Sequence, residues 1–314
     1  MRLLLLSRQR RLYSTRRFRE VSRSRSHQLS IADPLECALA ITGTGPRLYV
    51  HGAPLREVDV ALPRIGASLP GQGVAAVSHL EAMGVPVVNG SAAIRRARDK
   101  LLALQVLAGR GIAVPRTVLA RRPEQVSRAL EIVGGPPVVL KLLKGTQGVG
   151  VILAETRAAV DSTFDTLWGL RQDVLVQEYV AESAGRDVRA LVVGGEIVTA
   201  MRRQARSGEW RSNIHRGGVG TRVELDPAFA EAAVAAALAI GLDVAGVDLL
   251  EGSDGPRVTE VNASPGFEGL ERVCGVDVAG AIIDHAERLA RRLEPAAPPA
   301  RLSSGPAAEE TRSL

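Results

Sequence analysis

Four clusters of residues in this 314-residue chain have the types and spacing for chemistry on phosphates and carboxylates. The first is Lys141 followed by Lys144-Gly145-Thr146-Gln147-Gly148-Val149-Gly150. Glycines let backbone N–H groups converge on an anion with no Cβ in the way. No Gly-Lys-Ser/Thr closes the run and no helix opens directly after it, so it is neither a Walker A loop nor a dinucleotide fingerprint. A Gly loop between two strands is a flap that can close over phosphates. Its plain alternative is a glycine hairpin. Lys141 lies on the strand entering the flap, where a lysine is costly unless an anion pairs with it. An edge lysine facing water is the alternative there.

The second cluster is Asp248, Glu260 and Asn262. Glu260 and Asn262 are two apart on a strand and share a face. A hairpin turning about Asp254 sets Asp248 opposite Glu260. Two carboxylates that close repel unless a hard cation lies between them, and an all-oxygen set favours Mg²⁺ or Mn²⁺ held together with substrate phosphates. The competing reading is the solvent face of a hairpin, which the apolar neighbours Gly246, Val247, Val261 and Ala263 disfavour. The third cluster is Arg202, Arg203, Arg211, Ser212, Asn213, His215 and Arg216 before Gly217-Gly218. Its planar donors suit carboxylate or phosphate oxygens, against the alternative of a solvated basic loop. The fourth is Val176-Gln177-Glu178-Tyr179-Val180, a strand end that offers backbone groups to a purine edge, with Asp187 as an acceptor for ribose hydroxyls. Alone, it reads equally as a buried strand.

The elements that must position these residues follow from periodicity and turn residues. Strand Leu3–Ser7, helix Tyr13–Ser24, strand Val58–Leu62, helix Gly73–Met83 and strand Pro86–Asn89 suggest a small open α/β layer. Ser91 caps one long helix, Ala92–Ala108. A helix Pro123–Val133, strands Val138–Leu143 and Gly150–Ala154 around the flap, helix Arg157–Leu167 capped by Thr156, and strand Val174–Val180 come next. Gly194-Gly195 and Gly252–Pro256 mark two hairpins, separated by helix Pro227–Ile240. Helix Val278–Arg292 is the last, and the Pro/Ala-rich remainder reads as disordered.

Composition narrows the classes. At 46% hydrophobic and 24% charged, the chain is ordinary globular protein, not collagen-like or globally disordered. Two cysteines, Cys37 and Cys274, cannot build a disulfide framework or a Cys cluster, so a reducing cytoplasm is expected. The run Leu3–Leu6 is far short of a membrane span. Net charge is +6, and of forty Lys and Arg only Lys100, Lys141 and Lys144 are lysines. A lysine is a compact point charge that Arg cannot mimic in a tight site.

Taken in order, Lys-Gly-Thr-Gln-Gly-Val-Gly-Val (144–151), Val-Gln-Glu-Tyr (176–179), Arg-Ser-Asn-Ile-His-Arg-Gly-Gly (211–218), Ala-Gly-Val-Asp (245–248) and Glu-Val-Asn-Ala-Ser-Pro-Gly (260–266) resemble the ATP-grasp ligases, and more closely the RimK group of ribosomal-protein glutamate ligases. Leu-Ser-Arg (6–8), Pro-Arg-Ile-Gly (63–66) and Ala-Arg-Asp-Lys (97–100) extend the likeness over roughly residues 1–290. The resemblance implies an α/β (α+β) ATP-grasp fold. Residues 1–90 would be an N-terminal α/β domain, 91–186 a helix plus central lid, 187–292 a C-terminal metal-carrying domain and 293–314 a tail.

It further implies that Lys100, Lys141, Gly145, Gly148 and Gly150 meet the phosphates of ATP. Glu178 and Tyr179 would hold the adenine edge and Asp187 the ribose. Arg211, Ser212 and Asn213 would line the phosphate and acceptor side, with Arg203, Arg211 and Asn213 at the reacting groups. Asp248, Glu260 and Asn262 would ligate Mg²⁺ or Mn²⁺, two ions in all. The implied reaction adds L-glutamate to the C-terminal carboxylate of a ribosomal small-subunit protein through an acyl phosphate. Sister ligases acting on an amino-group carrier protein or a small-molecule carboxylate share most of these motifs. A non-enzymatic Arg-rich RNA-binding protein is the reading from another class, motivated by nine Arg in the first 25 residues. It leaves the acidic cluster unexplained and has few aromatics for base stacking. No membrane and no direct nucleic-acid partner are expected, and a homo-oligomer is left open.

Overall fold

Leu3, Leu4, Leu5 and Leu6 are each no more than 1% exposed. Four consecutive buried leucines are the mark of a strand covered on both faces. In the computed structural model, which describes residues 1–66, 70–143, 150–206, 209 and 217–293, this strand β1 (Arg2–Leu6) runs parallel to both its neighbours. Helix α1 (Tyr13–Ser24), where the sequence places it, crosses to β2 (Gln28–Ala32). The next three strands, β3 (Cys37–Thr42), β4 (Gly45–Val50) and β5 (Ala53–Pro54), form a separate antiparallel meander that periodicity did not reveal. β3 is largely exposed, so its pattern carries no buried face. Strand β6 (Val60–Pro63) completes the order β2-β1-β6, and α2 (Pro70–Ala82) follows. The expected strand Pro86–Asn89 is a correction: it makes a single bridge, Ala61 to Val87.

A second correction concerns the long helix. The chain breaks at Asp99 into α3 (Ser91–Arg98) and α4 (Lys100–Gly109). Asp99 is extended, and its carboxylate accepts from Leu102 N at 3.0 Å, an N-cap. Ser91 is not a cap; its hydroxyl donates to Glu81. Alanine and arginine favour helix throughout this stretch, so the break was not visible in propensity. It puts Lys100 at the first position of α4.

A four-stranded antiparallel sheet follows, in the order β7 (Thr117–Ala120), β10 (Val174–Glu178), β8 (Val138–Leu142), β9 (Val151–Ala154). Helices α5 (Val126–Val133) and α6 (Arg157–Gly169) cover one side, where Val138, Leu140, Val174 and Val176 pack with Leu130 and Phe164. Alternation turns Lys141 to the other side.

The third sheet has five antiparallel strands: β13 (Val219–Arg222), β12 (Glu196–Gln204), β11 (Arg186–Val193), β14 (Val244–Gly252), β15 (Gly255–Asn262). Helix α7 (Pro227–Ile240) packs on Ala190, Val192, Val247 and Leu249. On the opposite face Leu191, Val193, Met201 and Val244 meet α8 (Glu268–Cys274), α9 (Val278–Leu293) and α1 through Leu270, Ile283 and Phe18. That same face, followed along the strands by alternation, carries Asp187, Arg189, Arg203 and Asp248.

Asn89, 1% exposed, ties the N-terminal layer to this sheet. Its amide nitrogen donates to the carbonyls of Val244 (2.7 Å) and Ala263 (2.8 Å), and its oxygen accepts from Val244 N. Among the described residues no helix is long and apolar enough to cross a membrane.

Candidate active site

The hairpin β14–β15 turns at Ser253-Asp254, with Gly252 opposite Gly255, and pairs evenly as far as Leu249 and Val258. Continued without interruption, that register would oppose Asp248 to Thr259. A bulge between Asp248 and Leu249 shifts it by one, and Asp248 comes to face Glu260 and Gly246 to face Asn262. The pairing expected from the sequence is therefore present, through a tighter turn plus a bulge rather than a turn centred on Asp254. Thr259, the extra residue, donates its hydroxyl to the Asp248 carbonyl at 3.2 Å.

Arginines neutralise Asp248. Arg189 stands directly across from it on β11 and donates through Nε and Nη2, both at 2.6 Å. Arg203 approaches at 3.0 Å while holding Asp187, its own cross-strand partner, at 2.6 and 2.5 Å. Burial alone would raise the Asp248 pKa, but the two guanidinium groups outweigh it and hold the carboxyl below its usual range. Glu260 differs. It makes no hydrogen bond or ion pair among the described residues. Its side chain is exposed to solvent, yet nearby protein atoms cost it hydration, and that loss together with the charge of Asp248 raises its pKa. Asn262 donates its amide to the Gly246 carbonyl at 3.3 Å, which leaves the amide oxygen without a bond among the described residues.

Two lysines from other elements face this acid. Lys141, on β8, is pushed down to about 8 by burial, with the field of Glu260 opposing the shift. Lys100, at the start of α4, is lowered by burial and donates to the Leu142 carbonyl at 2.8 Å. The break at Asp99 is thus what aims Lys100 at the end of β8. Beyond β8, Gly150 closes the strand pair, its carbonyl accepting from Leu142 N at 2.8 Å. Its φ is +74°, and a Cβ there would meet the Leu142 side chain at 2.8 Å, so a side chain at this position is strained. Gly145 and Gly148 of the flap, and Arg211, Ser212 and Asn213, lie outside the described residues.

Glu178, 5% exposed, is clamped by Arg116, just before β7, and Arg257 on β15, and its N–H donates to the Arg116 carbonyl at 2.9 Å. The N–H is committed and each carboxylate oxygen already accepts from an arginine, so the purine contact expected of Glu178 is left to its carbonyl or to the remaining lone pairs. Ladder pairing ends there, and Tyr179 is the first residue past it. Asp187, expected at a ribose, already accepts from Arg203 on both oxygens; its remaining lone pairs alone are open.

Sequence reasoning missed Arg189, Arg116 and Arg257. Arg189 carried a signal, a guanidinium between Val188 and Ala190-Leu191 on an apolar strand, which needs a buried partner. Arg116 and Arg257 carried none, since their meeting at Glu178 joins residues 62 and 79 positions apart.

This arrangement sets an antiparallel sheet that carries Lys141 against a second sheet that carries a paired acid hairpin. Residues 97–286 match the RimK-like ATP-grasp domain and residues 1–94 the RimK PreATP-grasp domain, so the chain belongs to the RimK-like ATP-grasp family. It is 50% identical over 291 residues to a probable alpha-L-glutamate ligase of Thioalkalivibrio sulfidiphilus, covering 93% of this chain and 97% of that protein. A probable alpha-L-glutamate ligase of Marinobacter nauticus is 49% identical over 288 residues, covering 92% and 96%. Among solved structures, a RimK domain ATP-grasp protein from Sphaerobacter thermophilus superposes with a TM-score of 0.69 at 28% identity, covering 91% and 99%. The ATP-grasp ligase PsnB, complexed with a phosphomimetic variant of its minimal precursor, Mg and ADP, shares the fold with a TM-score of 0.72 at 22% identity, covering 92% and 98%. The protein is an ATP-dependent ligase that forms C–N bonds.

Proposed function

We infer that this ligase joins L-glutamate to the C-terminal carboxylate of an acceptor polypeptide, and that the acceptor is a protein of the small ribosomal subunit. The observation that carries the reading is Glu260, a crowded carboxylate without a bonded partner, opposite an Asp248 that arginines have already neutralised. Supporting it are the relatives, which are probable alpha-L-glutamate ligases, and PsnB, which was solved with its minimal precursor bound.

In this reading residues 91–186 act as the lid and 187–292 as the metal-carrying body, with ATP between them. Lys100 and Lys141 neutralise the triphosphate, so that an acceptor carboxylate can approach it. The γ-phosphoryl passes to that carboxylate, breaking its bond to the ADP oxygen and forming an acyl phosphate. The glutamate amine attacks the acyl carbon, gives up a proton and expels phosphate, and an amide remains. Positioning supplies much of the rate, and closure of the flap keeps water from the acyl phosphate. Arg203 holds Asp187 and Asp248 in register, and Arg211 and Asn213 are assigned to the reacting groups. Asp248, Glu260 and the Asn262 oxygen fit a hard cation. Among the described residues no three His, Cys, Asp or Glu gather, so such an ion would complete its shell with substrate oxygens. Mg²⁺ or Mn²⁺ there would supply charge neutralisation at the phosphates.

Mass spectrometry of the small-subunit proteins after incubation with ATP, Mg²⁺ and glutamate tests this. Stepwise addition of glutamyl residues to one of them is expected. ADP release with another carboxylate, and none with ribosomal protein, would transfer the assignment to a sister ligase.

A further inference from the structure

Nine arginines occupy the first 25 residues, and the structure sorts them. Arg2, Arg17 and Arg25 are tied to acids. Arg8, Arg10 and Arg11 are exposed on the loop between β1 and α1, and no ion pair engages them among the described residues. The loop that carries them is held from within. The buried hydroxyls of Ser7 and Thr15 bond to each other at 3.0 Å, Thr15 also donates to the Gln9 carbonyl at 3.1 Å, and Ser7 N donates to Ala32. Its backbone is anchored while its three cationic side chains stay uncommitted.

The place of this loop matters more than its charge. It leaves the carboxyl end of β1, central in a parallel sheet, where open α/β sheets bind ligands. Arg64, at the carboxyl end of the adjacent β6, donates its N–H to the Leu6 carbonyl at 2.8 Å and its Nη2 to the Pro265 carbonyl at 2.5 Å. Pro265 is three residues past Asn262. The Nε of Arg64 is buried and has no partner. Tyr13, the first residue of α1, donates to Glu271 at 2.6 Å, which seats that helix end against the same segment. Three uncommitted guanidinium groups therefore stand on the loop at the carboxyl end of β1, and Arg64 at the neighbouring strand end links that edge to the segment just past Asn262.

We propose that Arg8, Arg10 and Arg11, with Arg64 at the neighbouring strand end, form a dock for the acidic C-terminal segment of the acceptor polypeptide. The proposal rests on the ligase reading for the identity of the occupant. The chemistry of the dock stands by itself: guanidinium forks pair with carboxylates, and repeated carboxylates match a group of them. A glutamate ligase makes its product more acidic than its substrate, so such a dock would hold the product for another addition. Nucleic acid is the less suitable occupant. Tyr13 is the aromatic residue nearest the loop in sequence, and its ring is engaged edge-on with Phe267 rather than presented for base stacking.

The test uses the full chain and two fluorescent peptides, one ending in four glutamates and one ending in four glutamines, read by anisotropy at low salt. The wild type is expected to prefer the glutamate peptide, and the preference should fade at high salt. Arg10→Ala/Arg11→Ala should weaken glutamate-peptide binding by about tenfold with an unchanged melting temperature. Arg64→Gln should weaken it as well. Arg23→Ala/Arg110→Ala removes the same charge from exposed sites elsewhere and should change binding by less than about twofold. Equal binding of the two peptides, or equal losses in the two double variants, would overturn the dock. So would an RNA oligomer that displaces the peptide and needs Arg10 and Arg11 more than the peptide does. If the wild type binds the peptide through these arginines yet adds glutamate to no polypeptide, the ligase reading fails and the dock stands.

Discussion

One face of the five-stranded sheet is divided into two halves built on opposite principles. In one half Leu191, Val193, Met201 and Val244 are covered by α8 and α9 and gain stability from removal of apolar surface from water. In the other, along the same strands, Asp187, Arg189, Arg203 and Asp248 form a chain of charge in which each acid answers an arginine directly across the ladder. Buried ion pairs seldom add net stability over an apolar core. Their arrangement here orients side chains, and at the edge of the array stands Glu260, crowded but unpaired. The apolar half holds the sheet together; the charged half presents one acid with an unsatisfied demand for positive charge.

The largest effect expected from breaking this contrast is Glu260→Gln. The amide keeps the shape and removes one anion from the proposed cation site, at a cost of several kcal/mol in turnover, on the order of a thousandfold or more. Because burial and Asp248 already raise the Glu260 pKa, its ionised form works against folding. In chelator the variant should therefore melt at the same temperature as wild type or higher. Wild-type turnover at low Mg²⁺ would remove Glu260 from the ligand set.

Arg203→Met should act in the opposite way, mainly on stability. It strands Asp187 and Asp248 without one of their shared partners in a buried setting, and a loss of about 3–5 kcal/mol is expected from urea unfolding. A smaller loss, with turnover abolished, would mean that Arg203 meets the substrate rather than steadies the acids.

Lys141→Ala should raise the ATP requirement strongly, by about 2–5 kcal/mol in apparent affinity, since it removes a desolvated charge. Lys144→Ala, at the mouth of the flap and outside the described residues, should do less. Equal effects in ATP titrations would place the inward side of the flap elsewhere. The smallest effect is expected from deleting residues 296–314, which hold none of the motifs: melting temperature and ligation rate should both stay near wild type. An intact-mass increase of the wild-type chain by glutamyl steps would show that the enzyme adds glutamate to its own C-terminus and that the tail is not inert.

Much of the site could be read in one dimension. Glu260 and Asn262 share a face because strands alternate with a period of two. Asp248 could be placed opposite them by counting across a turn, and the two strands that bound the Gly-rich stretch follow from their apolar runs. Helices Tyr13–Ser24 and Pro227–Ile240 have the limits that their patterns and the Asp226-Pro227 cap require. These features are local, and local chemistry decides them.

Tertiary structure alone decided the rest. The bulge at Thr259, which brings Asp248 opposite Glu260, carried no signal in the spacing of the hairpin residues. The break at Asp99 sets a capping carboxylate against a stretch of good helix formers, and it prevails where Lys100 meets the end of β8. The meander Cys37–Pro54 hides its pattern because little of it is buried. The partners of Glu178 and Asp248 come from strands far apart in sequence. Spacing reports which residues share an element and a face; only packing brings the opposite charge to them.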